Sequence, residues 1–207
     1  MEFRLTYQGP LYAEQTERKQ GQRDNRASHK HDIRKAFHHQ LKRLWDVTPF
    51  LEESGPRIRI SPEKHAESHD INTLSNKHQL LGFQFVPLIT RDIQLLCGLD
   101  VLFLRPDTPG KLWAGDIDNR IKTLIDALRI PKLNELNSDP NNIISPGSDE
   151  MPFFCLLEED QLITKLSVET DQLLEFVTPG NLSDVRLVIT VRVRPYAMHP
   201  GNMEFGG

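Results

Sequence analysis

Two aspartates one residue apart open the stretch where this chain concentrates its chemistry. They are Asp116 and Asp118 in Gly115-Asp116-Ile117-Asp118-Asn119, with Lys122 one helical turn on and Asp126 a turn beyond. Carboxylates flanking a single residue at a strand-to-helix junction can converge on one hard divalent cation. Lys122 would then stand beside whatever phosphate that cation holds. The same residues also suit an ordinary helix start. Asp116 is a good N-cap, a first-turn acid complements the helix dipole, and an Asp118–Lys122 pair adds about 0.2–0.5 kcal/mol. Residue types alone leave both readings open.

The elements that must position these groups are legible in the pattern. Ile117, Ile121, Leu124, Ile125 and Leu128 fall at helical spacing, and Pro131 stops the helix. Residues 82–105 read as two strands joined by a short turn, delivering the chain to that helix, with Pro87 implying an edge position or a bulge. Phe3, Leu5 and Tyr7 alternate in an opening strand that Gly9-Pro10 ends, and Val185, Leu187, Ile189, Val191 and Val193 alternate in a late one. Between them lie a buried run, Phe153 to Leu157, and a strand in which Leu162, Thr164, Leu166 and Val168 share a face. From Asp32 to Trp45, Ile33, Phe37, Leu41 and Leu44 make an amphipathic helix. Residues 13–28, 51–79 and 131–152 are polar or proline-rich and read as loops, the last two as insertions in one domain spanning 1–207. His65 and His69 are four apart within the first insertion, where a solvated loop is the expectation.

Hydrophobic residues make up 38% and mean hydropathy is -0.46, with no run of about 18 apolar residues. Met1-Glu2-Phe3-Arg4 lacks an apolar signal core, and Cys97 and Cys155 lack metal spacing, so reduced thiols in a cytoplasmic protein are expected. The net charge of -4 gives no support to nucleic-acid binding by itself. Its distribution says more: Arg18 to Arg43 holds nine Lys/Arg against two Asp, a net +7, so the remainder carries -11.

Asp-x-Asp-Asn-x-x-Lys-x-x-x-Asp-Ala-Leu, filled by Asp116, Asp118, Asn119, Lys122, Asp126, Ala127 and Leu128, resembles the signature of the RusA-type Holliday junction resolvases. These are Mg-dependent endonucleases. Their second motif, Asp-Asp-x-Gln before an aliphatic residue, is similar to Glu158-Glu159-Asp160-Gln161-Leu162. Alignment on Gln161 puts Glu159 at the family's metal-ligand position. Glu is longer than Asp, and a one-residue slip would hand the role to Asp160. The resemblance covers roughly half the chain, and the two insertions depart from it.

The resemblance implies an α+β fold: a small mixed β-sheet with two principal helices packed on it. It implies Mg²⁺, with Mn²⁺ as a substitute, held by Asp116, Asp118 and Glu159 or Asp160. Asp116, Asp118, Lys122 and Glu159 are then the catalytic set. Asp126 either orients Lys122 or sits in a buried hydrogen bond. Lys30, Arg34, Lys35 and Lys42 on the basic helix, with Arg120, are the cations expected to meet DNA phosphate. Branched or duplex DNA and a second copy in a homodimer are the implied partners, with no membrane and no nucleotide cofactor. The alternatives are a RusA-like binding module without cleavage and a nuclease acting on flaps or duplex.

Overall fold

The strand read over 185–193 lies inside the larger of two sheets. The structure, a computed structural model, describes residues 1–13, 23–52, 69–106, 117–137, 143–175 and 177–206. β7 (Asp184–Pro195) turns Val185, Leu187, Ile189, Val191 and Val193 inward, none more than 3% exposed. Burying each contributes about 1.5–3 kcal/mol. β1 (Glu2–Pro10) and β4 (Leu95–Arg105) flank it antiparallel, and β6 (Ile163–Gln172) runs parallel to β4, giving the order β1-β7-β4-β6. A parallel neighbour demands a crossover, and α4 (Ile117–Leu128) lies within the one that joins β4 to β6.

The second sheet is mixed as well: β2 (Gln79–Leu80), β3 (Phe83–Ile89) and β5 (Phe153–Leu157), with β2 antiparallel and β5 parallel to β3. Leu81 and Gly82 turn the β2–β3 hairpin with φ of 49° and 84°, the doubly left-handed geometry of a type I′ turn. The coarse α+β class therefore holds, but the expected single sheet is two. The strands read over 82–105 do not pair with each other; after the turn at residues 90–94 they enter different sheets. Alternation cannot choose between partners. β3 is buried on both faces and pairs with the equally apolar β5, whereas β4 alternates and joins β7 and β6. β2 reaches only Phe83 and Gln84, so β3 is an edge where Pro87 stands, as its missing N–H requires.

The two long helices are α1 (Arg23–Val47) and α4, with the single turn α2 (Pro49–Glu52) following α1, and α1 contacts α4, β1 and β5. Ile33, Phe37, Leu41 and Trp45 of α1 are at most 1% exposed. The helix starts well before Asp32, so part of the loop read over 13–28 is helical. Apolar periodicity misses that start because little there is apolar and buried: among the described side chains Ala27 and His31 are, at 7% and 4% exposed. The insertion read over 51–79 is also partly folded. α3 (Ile71–Lys77) is capped by Asp70, whose carboxylate accepts from the Thr73 N–H at 3.0 Å, and Leu74 is buried. His65 lies outside the described residues. His69, expected in solvent, is 2% exposed and stacks on Trp45. In the second insertion, α5 (Leu133–Leu136) buries Leu136.

The two edges of the larger sheet are treated differently. At β1, the Gln40 amide accepts from the Thr6 N–H at 2.9 Å and donates to the Thr6 carbonyl at 2.7 Å, which blunts that edge. Among the described residues β6 is the last strand on the other side, and Thr164, Lys165, Leu166 and Ser167 are exposed along it.

Candidate active site

Asp118 stands in the first turn of α4, with Lys122 one turn later. Opposite them the chain leaves β5, passes Glu158 and Glu159, and makes one 3₁₀ turn over Asp160–Leu162 before entering β6. Asp118, Lys122, Asp126, Asp160 and Gln161 line one cavity of about 970 Å³. Its remaining lining is aliphatic: Ile117, Ile121 and Ile125 from the helix, Ile163, Leu166 and Val168 from the strand. The apolar stripe of α4 thus divides its work. Leu124 and Leu128 are 1% exposed in the core, while Ile117 and Ile125 stay half-buried at the cavity.

A bulge sets the strand wall. Cys97 is opposite Ile163 and Gly98 opposite Lys165, so Thr164 is the extra residue, and its hydroxyl donates to the Cys97 carbonyl at 3.2 Å. The extra residue shifts the parity. Ile163 joins Leu166 and Val168 at the cavity, where strict alternation grouped Leu162 and Thr164 with them.

Arg91, in the turn between β3 and β4, decides how the acidic stretch faces. Its backbone N–H donates to Glu158 Oε2 at 2.9 Å, its Nη2 donates to Gln161 Oε1 at 2.8 Å, and its Nε pairs with Glu159 Oε1. Glu158 and Glu159 are bound to Arg91, and Asp160 is the acid of the three that lines the cavity. Of the two ligand candidates at this turn, the geometry therefore favours Asp160. No spacing rule in the sequence pointed to Arg91.

Asp126, a turn beyond Lys122, is tied from behind. Its two oxygens accept from Lys30 Nζ and Arg129 Nη2, both at 2.6 Å, and Arg129 and Arg34 go on to Glu135 at 2.8 and 2.6 Å. Burial alone would raise the Asp126 carboxyl, but Lys30 and Arg129 outweigh it and hold the pKa below the ordinary value. Buried carboxylates require such partners. This corrects the reading of the basic helix. Arg34, 1% exposed, and Lys30, with 12% of its side chain exposed, face α4 and α5 and join the helices instead of reaching outward. Lys35 pairs with Glu150 at 2.8 Å while 42% of its side chain stays exposed. Lys42 is exposed and Arg120 half-buried.

Asp116 lies outside the described residues. Among the described residues no three His, Cys, Asp or Glu side chains gather as a ready cation cage. Besides Asp126, which is bound to Lys30 and Arg129, the carboxylates lining the cavity are those of Asp118 and Asp160, both hard oxygen donors. One or two carboxylates completed by water are what Mg²⁺ ordinarily takes, so their chemistry fits that ion. Thiol chemistry has no footing. Cys97 and Cys155 are buried, unbridged, and pushed up to about 12 by desolvation. Compared with protein-family models, curated proteins and solved structures, the chain matches none. No helix among the described residues is long and apolar enough to cross a membrane.

Proposed function

We propose that the chain is a Mg²⁺-dependent endodeoxyribonuclease of RusA type that hydrolyses phosphodiesters in branched DNA. The observation that carries this reading is the shared cavity: Asp118 and Lys122 from one motif and Asp160 from the other, distant in sequence, line the same space. Asp118 and Asp160, with Asp116 just ahead of the helix in sequence, would hold the ion. When bound, the ion supplies polarisation of a phosphodiester oxygen and a more acidic water. Lys122 sets a positive charge on the same flank of α4, where it stabilises charge building on the phosphate. Asp126 braces that flank from behind through Lys30 and Arg129. Four-way junctions carry paired strands related by two-fold symmetry, which a homodimer matches.

One observation favours a second reading, a binding module without cleavage: Glu159, at the family's ligand position, is paired with Arg91. Incubating the chain with Mg²⁺ and junction, flap or linear duplex DNA separates the readings. Nicked junction, lost in Asp118→Asn with folding intact, supports the nuclease. DNA binding indifferent to Mg²⁺ and without product supports the module, and cleavage at the wild-type rate by Asp118→Asn refutes the mechanism.

A further inference from the structure

A ladder of alternating charge crosses the outward face of the larger sheet. Glu2 on β1 accepts from Arg192 on β7 at 2.7 Å, Arg192 also bonds Asp100 on β4, and Asp100 reaches Lys165 on β6 at 3.2 Å. Gly98, opposite both Arg192 and Lys165, leaves the room that lets Asp100 span them. The ladder ends on β6, with which no further described strand pairs, at a lysine whose side chain is 66% exposed. On the other face of the same strand Leu166 is 43% exposed beside Val168, both at the cavity. An edge strand with exposed aliphatic residues is a template for another strand, and the opposite edge of this sheet is blunted by Gln40.

We propose that the occupant of this edge is a second copy of the chain, its β6 added antiparallel across a two-fold axis. The strand is self-complementary when Ser167 sits on the axis. Each Lys165 then faces the partner's Glu169, continuing the alternation of sign into the second sheet, and each Leu166 faces the partner's Val168. Neither like charges nor a charge and an aliphatic residue are opposed from residue 164 to residue 170. Because Leu166 and Val168 lie on the cavity side, the partner's pair extends the aliphatic floor beneath α4 by one strand spacing, about 4.8 Å. Two α4 helices, each with Asp118 and Lys122, then flank one continuous eight-stranded sheet.

This names the surface for the homodimer in the proposed function. Its test reads mass rather than cleavage, so the two can fail separately. Sedimentation velocity of the full chain should give a two-chain species. Lys165→Glu should weaken association roughly tenfold or more, since symmetry turns two attractive pairs repulsive, and Lys165→Glu with Glu169→Lys should restore it. Ser167→Cys should form an intermolecular disulfide on mild oxidation, because residues facing each other on the axis hold their Cβ atoms about 4.5–5.5 Å apart, and both native cysteines are buried. Circular dichroism confirms that each variant folds. A folded wild-type chain of single mass overturns the proposal. So does a folded double reversal that associates as weakly as Lys165→Glu, or a dimer in which Ser167→Cys does not cross-link.

Discussion

Replacing Asp126 by Ala removes a carboxylate of α4 that is bound to Lys30 of α1. Lys30 loses its 2.6 Å partner, with Glu135 4.0 Å away, while Arg129 keeps its 2.8 Å bond to Glu135. Lys30 and Arg129, whose side chains are 12% and 5% exposed, then each lose a charged partner. Breaking a buried pair by removing one partner costs about 3–5 kcal/mol, because the orphaned charge stays desolvated. For a chain of 207 residues each kcal/mol moves Tm by about 2–4 °C, so the loss is roughly 6–20 °C. Urea unfolding followed by circular dichroism measures it. Lys30→Met with Asp126→Leu, which removes one charge with its partner and leaves Arg129 on Glu135, should recover part of the stability. A loss below about 1 kcal/mol for Asp126→Ala would refute the idea that this network fixes α4 against α1.

His31 is pinned at 4% exposure against Phe83 and Phe153, and burial, partly offset by Glu150, pushes its pKa down to about 4. The unfolded chain takes up that proton first. Stability is therefore complete above about pH 6.5 and falls as pH drops toward 4, by at most about 3 kcal/mol. Urea midpoints at about pH 7 and about pH 5 should differ in wild type and differ less in His31→Leu. Arg91→Ala releases Glu158, Glu159 and Gln161 together and should weaken Mn²⁺ binding by roughly ten- to a hundredfold, the usual cost of losing a group that orients a ligand. Calorimetry reads this, and Arg91→Lys should recover part of the loss.

Much of the fold was legible because it obeys simple periods. The two-residue repeat of Val185 to Val193 and the helical stripe from Ile117 to Leu128 announce their elements and inward faces. What pattern could not show was partner choice: β3 and β4 read as a pair, yet a strand buried on both faces and one that alternates went to different sheets. Polar burial was equally invisible. Lys30 and Arg34 look like solvent cations until Asp126 and Glu135 are folded against them. At the site, the two acidic motifs were visible as residues. Only the turn at Arg91 separates Asp160 from Glu159, and nothing local in the sequence ties Arg91 to residues so far along the chain.

Calorimetric titration of Mg²⁺ and Mn²⁺ into the full chain and three single variants reads out the cation site itself. If Asp118 and Asp160 share a cation, wild type binds, Asp118→Asn and Asp160→Asn lose the binding heat, and Glu159→Gln keeps it. A wild-type chain that binds neither ion, or an Asp160→Asn chain that binds like wild type while Glu159→Gln does not, contradicts it.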